Sequence, residues 1–280
     1  MKILLIGSLG QLGNEFKYFF QKNNIEFVET DLPTLDVFNL DDVLEIFSNT
    51  KPEIVINCSA YNFVDQAEQD RWSSLKVNTI GVKNLAYACE KYKSFLVHFS
   101  TDYVFDGEKP TQYTEEDEPN PINFYGLTKF LGEQAIFDIL DSYLIFRVSW
   151  LYGYGTQNFI VKFLHWIEDT DIIRIAIDEV SVPTSTLTVV ENVMKSIDEG
   201  LCGLYHLTNS GFASRYEWAL EIKKNLGLRI NIVPVNSEVF NLPARRPKFS
   251  AMSNQKISSD LNIEIPSWRD ELERFLNSCK

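Results

Sequence analysis

A tyrosine and a lysine stand four residues apart in Tyr125-Gly126-Leu127-Thr128-Lys129, at the start of a predicted helix and downstream of Ser100-Thr101-Asp102-Tyr103. Because four residues make about one helical turn, both side chains project from the same face. A lysine ammonium near a phenol favours the phenolate, so we expect Lys129 to lower the pKa of Tyr125 from its ordinary value of about 10. Such a tyrosine can move a proton onto or off a carbonyl oxygen.

Short apolar runs alternate with amphipathic segments in the first half of the chain. The runs are near-continuous, which indicates strands buried on both faces: Ile3 to Ile6, Glu26 to Thr30, Ile54 to Asn57, Phe95 to Phe99 and Leu144 to Val148. Helical periodicity lies between them, near 11–22, 40–48, 71–92 and 125–139. The alternation predicts an α/β fold with a doubly wound parallel sheet of the Rossmann kind. Ligands bind such sheets at the carboxyl ends of the strands.

The first strand end carries a glycine-rich turn, Gly7-Ser8-Leu9-Gly10-Gln11-Leu12-Gly13, directly before a helix. Glycines allow a tight turn and close approach to a pyrophosphate, and the helix start offers free amides to its oxygens. Asp31 ends the second predicted strand, where a carboxylate can accept hydrogen bonds from the adenosine ribose hydroxyls. The turn predicts NADH or NADPH as cofactor, and Asp31 favours NADH.

The second half mixes both element types and is predicted to form a smaller α/β substrate domain. Helices are expected near 157–169, 185–199 and 214–226, strands near 172–177, 204–208 and 230–234, loops over the cleft at 234–259 and a terminal helix at 267–278. We expect the helix at 185–199 to return to the first domain. The predicted division is therefore interleaved: a dinucleotide-binding domain of 1–149 plus about 185–203, and a substrate domain of 150–184 plus 204–280.

Composition narrows the partners. The chain has 280 residues and a net charge of −13, which argues against nucleic acid because the phosphate backbone repels an acidic surface. It contains no apolar run long enough for a membrane span or a signal peptide. The four cysteines and three histidines show no metal-ligand spacing, so no metal site is predicted: Cys58, Cys89, Cys202, Cys279, His98, His165 and His206. A cytoplasmic protein is the simplest expectation.

The order of the glycine turn, Ser-Thr and Tyr-x-x-x-Lys resembles the extended short-chain dehydrogenase/reductases. Longer blocks are similar to the dTDP-4-dehydrorhamnose reductase family across nearly the whole chain. They are Gly10 to Gly13, Ala60 to Glu68, Ser100 to Gly107, Phe146 to Gly153, Asn158-Phe159, Pro183-Thr184, Gly203 to Leu207 and Arg246-Pro247 with Ser250.

That resemblance implies reduction of a 4-keto nucleotide sugar, with a possible homodimer. Tyr125 would protonate O4 of the sugar, Lys129 would hold the nicotinamide ribose and tune Tyr125, and Thr101 would bind the reacting oxygen. The resemblance also implies cofactor contacts at Gly7, Gly10, Gln11, Leu12, Asp31, Asp36, Val37, Cys58, Ser59, Ala60, Phe99, Tyr125 and Lys129, and substrate contacts at Thr101, Asp102, Trp150 and Arg246.

One loop departs from the family pattern. Where the family usually has Asp-Gln-x-Gly-x-Pro-Thr, this chain has Asp178-Glu179-Val180-Ser181-Val182-Pro183-Thr184. If the loop lines the substrate pocket, we expect the added carboxylate of Glu179 to disfavour a nearby diphosphate. The sugar and its nucleotide base therefore stay open.

Three function classes follow from these residues. A reductase in the synthesis of polysaccharide precursors, acting on dTDP-4-dehydro-β-L-rhamnose, is favoured. A dehydratase or epimerase is disfavoured, because elimination in this branch uses an Asp-Glu pair and Asp102 is followed here by Tyr103. The third class is a non-catalytic cofactor-binding subunit, as in the regulatory partner of a methionine adenosyltransferase, which fold alone does not exclude.

Overall fold

Six parallel strands form the central sheet of the computed structural model, which describes residues 2–155 and 157–278. The spatial order is β2-β1-β3-β4-β5-β10, and every adjacent pair is parallel. The strands are β1 (Ile3–Ile6), β2 (Phe27–Thr30), β3 (Ile54–Asn57), β4 (Phe95–Thr101), β5 (Tyr143–Val148) and β10 (Gly203–His206). This arrangement confirms the predicted doubly wound α/β fold.

Helices cover both faces of the sheet because alternate strand residues point to opposite sides. On one face Ile3, Leu5 and Val97 pack in one apolar cluster; on the other, Leu4 and Val55 pack in a second. The helices of this half are α1 (Gln11–Lys22), α2 (Leu40–Thr50), α3 (Val64–Gln69), α4 (Arg71–Leu75), α5 (Val82–Tyr92), α6 (Phe124–Ile139) and α8 (Thr186–Asp198).

The predicted helix at 71–92 is interrupted by a π-helical stretch at Lys76–Gly81. The wider turn accompanies a buried Asn78, whose side chain accepts from the Tyr61 amide at 2.9 Å and donates to Thr128 Oγ1 at 3.1 Å. The carbonyl of Asn78 also approaches Gly132 so closely that a Cβ there would lie 2.3 Å from it. This stretch therefore fastens the α4–α5 segment to α6, the helix that carries Tyr125 and Lys129.

The remaining elements build a second unit around four buried aromatic residues, Tyr152, Phe163, Trp218 and Trp268. They are β6 (Leu151–Tyr152), α7 (Phe159–Trp166), β7 (Ile172–Ala176), β8 (Val180–Ser181), β9 (Thr184–Ser185), β11 (Ala213–Ser214), α9 (Arg215–Leu226), β12 (Asn231–Val235) and α11 (Trp268–Ser278). Helix α10 (Gln255–Asp260) packs instead beside β10 of the large sheet. The predicted loop region at 234–259 is wrong in part: it includes a 3₁₀ turn at Ser237–Phe240 and most of α10, whose Ile257 packs in the core.

Helix α8 packs against α1, and strand β10 lies beside β5 in the large sheet. Residues 204–206 therefore belong structurally with the first unit, although the predicted boundary assigns them to the second. They lie there because a parallel strand following α8 completes the edge of the sheet. The division into two domains as a whole stays a prediction.

No helix of the described residues combines the length and apolar character needed to cross a membrane. Within the same residues, no group of three or more His, Cys, Asp or Glu side chains is arranged to hold a metal ion. Cys58, Cys89 and Cys202 are free thiols. Cys279 lies outside the described residues.

Candidate active site

The glycine turn closes tightly between β1 and α1. Gly7 has a φ of +76°, and a Cβ there would lie 2.5 Å from the Ser59 amide nitrogen. A Cβ on Gly13 would lie 2.1 Å from the carbonyl oxygen of Gly7. Gly10 caps α1 without any side-chain hydrogen bond, so the amides of the first turn, including those of Gln11 and Leu12, stay open to a ligand. The turn fits a pyrophosphate, as its sequence predicts.

Asp31 closes the far side of this turn. Its Oδ2 accepts from the Leu9 amide at 2.9 Å and its Oδ1 accepts from the Leu32 amide at 2.8 Å. These contacts hold the carboxylate beside the glycine turn, and each oxygen keeps a lone pair for a ribose hydroxyl. Asp36 is exposed and Val37 is buried just beyond, at the edge where an adenine is predicted.

The carboxyl end of β3 forms the next part of the cleft. Ser59 donates from both its amide (3.0 Å) and its hydroxyl (2.6 Å) to Asn57 Oδ1, while Ala60 is exposed. Burial, together with the charge of Asp31, raises the pKa of the Cys58 thiol, so Cys58 stays neutral. The segment 58–60 can therefore offer backbone and small neutral side chains to a cofactor.

Thr101 and Tyr125 meet at the carboxyl end of β4. Helix α6 begins at Phe124, and Asn123 caps it by accepting from the Gly126 amide at 2.8 Å. A Cβ on Gly126 would lie 2.1 Å from the Tyr103 carbonyl oxygen, so glycine lets the helix start press against the segment after Thr101. The geometry brings the two predicted hydroxyls together.

The predicted effect on the pKa of Tyr125 is wrong for this structure. Burial raises that pKa to about 12, while a hydrogen bond with Thr101 acts in the opposite direction. The ammonium of Lys129 donates instead to the Phe99 carbonyl oxygen, at 2.6 Å. Tyr125 is thus a protonated phenol at neutral pH.

Lys129 is itself the more perturbed group of the pair. It is 2 % exposed, and burial lowers its pKa to about 8 against the raising effects of Glu133 and Cys58. Besides the Phe99 carbonyl, its Nζ lies 3.4 Å from His98 Nε2. Phe99 stacks on Phe146 and is buried beneath the cleft. Lysine 129 therefore exchanges its proton closer to neutral pH than an ordinary lysine does.

Asp102 faces the protein interior. It is 2 % exposed and accepts from Ser181 Oγ at 2.8 Å, Ser250 Oγ at 2.6 Å and Thr101 Oγ1 at 3.2 Å. Burial raises its pKa, and these three hydroxyls act against that rise. Its carboxylate thus ties the end of β4 to β8 and to the loop before α10.

Trp150 presents an unusual backbone and a crowded ring. Its φ is +42°, its indole stacks on Trp218 at 5.7 Å, and the Arg215 guanidinium lies 3.5 Å from the Trp150 ring centroid and 5.6 Å from that of Trp218. Its buried Nε1 has no hydrogen-bond partner within the described part of the chain. A bulky residue held at positive φ is strained, and such residues concentrate at functional sites.

The Glu179 carboxylate has a cationic partner, whereas the sequence led us to expect an unpaired charge that would repel a diphosphate. Its Oε2 lies 3.9 Å from Arg215 Nε, and its side chain is 12 % exposed. Burial raises the pKa of Glu179, and the charges of Arg215 and Arg246 oppose that rise. Because the Glu179 carboxylate has a cationic partner, the loop contributes an ion pair and not an unpaired negative charge.

Arg246, which follows β12, forms an ion pair with a helix of the first unit. It forms a two-pronged pair with Asp65 of α3, Nη2 to Oδ2 at 2.6 Å and Nη1 to Oδ1 at 2.9 Å. Burial alone would raise the pKa of Asp65, but the hydrogen bonds from Arg246 and the Ala244 amide, together with the charges of Arg246 and Lys162, hold that pKa below its usual range. Arg246 therefore anchors its loop at the rim of the cleft, with its fork already occupied by a carboxylate.

Comparison with known proteins places this geometry in a family. The family model described as the RmlD substrate binding domain matches residues 1–280. This chain belongs to that family.

Three similar proteins support the assignment. The crystal structure of a dTDP-4-dehydrorhamnose reductase from Clostridium acetobutylicum is 37 % identical, covers 100 % of this chain and 99 % of its own, and superposes with a TM-score of 0.96. The dTDP-4-dehydrorhamnose reductase from Bacillus anthracis, solved in complex with NADP, is 34 % identical with 99 % coverage of both chains and a TM-score of 0.96. A spore coat polysaccharide biosynthesis protein, SpsK of Bacillus subtilis, is 32 % identical over 98 % of this chain and 96 % of its own.

Some residues of this RmlD family member at the cleft are not found by the sequence reasoning. Arg215 is the first residue of α9, after the capping residue Ser214, and such a position is typical of the surface. In the structure its guanidinium lies over the Trp150 ring. His98 stands among apolar residues and reads as packing, yet it contacts Lys129. Asn158 caps α7 and also donates to Gln11 Oε1 at 2.9 Å, which joins the second unit to the glycine turn. Two features of the sequence pointed toward these residues: the departure at Glu179, which pairs with Arg215, and the family block Asn158-Phe159.

Proposed function

We propose that this protein reduces the C4 carbonyl of a 4-keto nucleotide sugar with NADH or NADPH. The best-supported reaction takes dTDP-4-dehydro-β-L-rhamnose to dTDP-β-L-rhamnose in the synthesis of cell-surface polysaccharide precursors. The observation that carries the proposal is the hydrogen-bonded pair of Thr101 and Tyr125 at the end of β4, on the same edge of the parallel sheet as the glycine turn that follows β1. Relatives named dTDP-4-dehydrorhamnose reductase support it.

The residues of the cleft fit a dinucleotide. The open amides of α1 would hold the pyrophosphate, Asp31 the adenosine ribose, and Asp36 and Val37 the adenine end. Residues 58–60 and Phe99 would lie under the nicotinamide half. Reduced nicotinamide, when bound, supplies the hydride. Asp36 is exposed and would make a polar contact at the adenine, whereas the Val37 side chain packs in the core beside Gly81.

The proton is supplied by the protein. A phenol with a pKa of about 12 is fully protonated at neutral pH, so Tyr125 can hydrogen-bond the neutral ketone and hand over its proton as negative charge builds on O4. Thr101, at the end of β4, would bind the same oxygen by turning its hydroxyl proton from Asp102 Oδ1 to O4. Lys129, one turn along α6, would bind the nicotinamide ribose, as the family resemblance implies.

The second unit would receive the sugar nucleotide. Trp150 would offer its apolar ring to the sugar, its buried indole N–H has no partner among the described residues, and Arg215 adds a cation beside it. Arg246 would contribute positive potential at the rim, although its fork is shared with Asp65. An anionic diphosphate on an acidic protein needs such local cations.

Elimination chemistry is disfavoured by the same geometry. The Asp102 carboxylate already accepts three hydroxyl hydrogen bonds inside the protein. The next residue, Tyr103, has a pKa raised by burial and is not a base near neutral pH. A dehydratase needs a general acid and a base on the substrate, and neither position supplies one. The homodimer, the cytoplasmic location and the division into two domains stay predictions.

A coupled assay tests the proposal. The protein is mixed with NADH or NADPH, a dTDP-4-keto-6-deoxy sugar and the 3,5-epimerase, and absorbance of the reduced nicotinamide is followed. We expect oxidation that depends on both the sugar and the protein. Absence of oxidation with either cofactor rejects this substrate, and a panel of UDP- and dTDP-linked 4-keto sugars then asks whether any member of the class is reduced.

A further inference from the structure

Asp102 lies at the inner end of a short chain of hydroxyl groups that begins at the cleft. Tyr125 is hydrogen-bonded to Thr101, and Thr101 Oγ1 lies 3.2 Å from Asp102 Oδ1. The other carboxylate oxygen, Oδ2, accepts from Ser181 Oγ at 2.8 Å and from Ser250 Oγ at 2.6 Å. Thr101 is 6 % exposed, and the other three members, Asp102, Ser181 and Ser250, are at most 2 % exposed. The buried carboxylate is therefore linked to the cleft through Thr101.

The single hydrogen of the Thr101 hydroxyl decides how this chain is satisfied. An ionised carboxylate can only accept, so Thr101 donates to Asp102 Oδ1. One lone pair of Thr101 Oγ1 accepts from the Tyr103 amide at 3.2 Å, and the other lone pair is left for the Tyr125 phenol. Before a sugar binds, the hydroxyl hydrogens of Tyr125 and Thr101 therefore both point inwards, toward Asp102.

A bound ketone changes this arrangement, and this step rests on the proposed function. A ketone oxygen carries no hydrogen, so it binds by accepting from Tyr125 and Thr101. When Thr101 turns its hydrogen to the ketone, its Oγ1 faces Asp102 Oδ1 with lone pairs on both atoms, at 3.2 Å in a buried site. Two buried acceptors in contact are unfavourable without a hydrogen between them. A proton on Oδ1 removes the conflict, because the carboxyl group then donates to Thr101.

We propose that ketone binding draws a proton onto Asp102, and that Ser181 and Ser250 are positioning residues that direct this proton to Oδ1. The two serine hydroxyls occupy Oδ2 and can stay there in either state, because the carbonyl oxygen of a neutral carboxyl group still accepts two hydrogen bonds. Asp102 then acts on the sugar through Thr101. Ser181 stands where the family pattern has glycine, so one of the two hydroxyls belongs to the loop that departs from that pattern.

The proton comes from solvent through Thr101 while the cleft is open. Thr101 gives its hydrogen to Asp102 Oδ1 as its oxygen takes a proton from solvent, so one O–H bond forms for each that breaks. After reduction, the new hydroxyl group on C4 can donate to Thr101. The threonine hydrogen then returns toward Asp102, and the carboxyl group releases its proton by the reverse route.

The surroundings of Asp102 favour this gain of a proton. The charged and titratable groups that act on it are the Arg215 guanidinium of α9 and the phenols of Tyr103 and Tyr125. Arg215 is also shared with Glu179, at 3.9 Å. Burial raises the pKa of Asp102, and its three hydroxyl donors and the charge of Arg215 oppose that rise. Diverting one hydroxyl donor to a ketone therefore removes one of the groups that keep Asp102 ionised.

The first measurement needs no sugar. In protein with ¹³C-labelled aspartate, the Asp102 carboxyl signal is assigned by its loss in Asp102→Asn and is followed with pH. Thr101→Val removes the hydrogen bond that a ketone would divert, so the titration midpoint of Asp102 should rise by about 1 pH unit or more. Ser181→Ala should also raise it. Ser196→Ala should not, and it is the matched control because Ser196 is equally buried and donates to the Asn192 carbonyl oxygen.

Calorimetry then measures the proton itself. A dTDP-4-keto-6-deoxy sugar is titrated into protein loaded with NADP⁺, which has no hydride to give, in buffers of different ionisation enthalpy. We expect uptake of about half a proton or more per ketone at about pH 7. The corresponding 4-hydroxy sugar, titrated into protein loaded with NADPH, should bind with little uptake.

Asp102→Asn separates this role from a structural one. The variant should abolish proton uptake. Its amide can donate to Thr101 as a protonated carboxyl group would, so at about pH 8.5 it should bind the ketone at least as tightly as the wild type does. A merely structural role for Asp102 would instead weaken binding at every pH.

An unchanged Asp102 midpoint in folded Thr101→Val overturns the proposal. Ketone binding without proton uptake in the wild type, or with equal uptake in Asp102→Asn, overturns it as well and leaves the proposed function intact. If no 4-keto sugar binds or oxidises nicotinamide, the proposed function fails, and the midpoint in Thr101→Val alone decides whether the Thr101 hydrogen keeps Asp102 ionised.

Discussion

The two walls of the cleft are built differently. On the nucleotide side, each key group sits at the carboxyl end of a strand or in the first turn after it, as with Gly7, Asp31 and Thr101. On the sugar side, the groups come from distant segments joined by side chains, as with Trp150, Glu179 and Arg215. The first wall follows from topology and the second from individual contacts. We therefore expect changes on the first wall to alter the chemistry, and changes on the second to alter which sugar is accepted.

The largest effect is expected at Tyr125. Replacing it with phenylalanine removes the proton donor and should lower kcat by about a hundredfold or more, the scale of lost general acid catalysis. Cofactor affinity should be nearly unchanged, because the ring still packs at 6.0 Å from Tyr103. Steady-state kinetics and fluorescence titration of NADPH measure the two quantities.

Tyr103→Phe is the matched control for that variant. It removes a buried phenol from the neighbouring ring, whose pKa is raised by burial. Turnover in Tyr103→Phe should stay well above that of Tyr125→Phe. Equal losses in the two variants would mean that ring packing, and not proton donation, explains the effect.

On the sugar wall, Arg215→Met should raise KM by about tenfold while leaving kcat within a few-fold, because it leaves Glu179 buried without its cation and facing the diphosphate. The double variant Arg215→Met with Glu179→Gln should recover most of the affinity, since the unpaired charge is gone. Kinetics with the sugar varied at saturating cofactor measure both.

Arg269→Met is the control for Arg215→Met, because Arg269 also lies on a tryptophan, 4.3 Å from the Trp268 ring. Its KM should match that of the wild type. A fall in kcat without a change in KM for Arg215→Met would place Arg215 in the chemistry and erase the distinction between the two walls.

The same contrast explains what the sequence could predict. Strands such as Ile3–Ile6 are apolar on both faces and end in glycine or polar residues, so their order, and hence the meeting of Thr101 with Tyr125, is predictable from one-dimensional pattern. Contacts such as Glu179 with Arg215 join segments 36 positions apart through side-chain conformation. The periodicity of the sequence does not predict such side-chain pairs. The prediction of a lowered pKa for Tyr125 was wrong for a related reason. The burial of Tyr125 and the hydrogen bond from Lys129 to the Phe99 carbonyl oxygen depend on the tertiary structure and not on sequence spacing.

A smaller effect is expected at Asp31, which bears on the choice between NADH and NADPH. A carboxylate near the 2′-phosphate of NADPH is repelled by about 1 kcal/mol at roughly 4 Å in water, about a fivefold effect. Asp31→Asn should therefore shift the ratio of kcat/KM toward NADPH by about that factor. Asn keeps one acceptor for the Leu9 or Leu32 amide, so folding should be little affected. Asp36→Asn is the control, and an equal shift there would assign the discrimination to general charge.

The smallest effects are expected at three asparagines that cap helices, Asn39, Asn123 and Asn158. Replacing them tests whether the two walls of the cleft are independent. Asn39 makes only local contacts among its side-chain hydrogen bonds, to Asp41 and Asp42. Asn123 caps α6 and also donates to the Arg245 carbonyl at 2.9 Å, and Asn158 caps α7 and also donates to Gln11. Replacement of any cap by alanine should cost about 1 kcal/mol of unfolding free energy.

The extra bonds of Asn123 and Asn158 should each add about 1 kcal/mol to that cost. Urea unfolding of the three alanine variants measures this difference. Beyond stability, Asn158→Ala should weaken NADPH binding, because Gln11 lies in the glycine turn, whereas Asn123→Ala should act on sugar KM through the Arg245–Arg246 loop. If both variants change the same kinetic parameter, the two walls are energetically coupled. That result would contradict the view that one wall determines the chemistry and the other the choice of sugar.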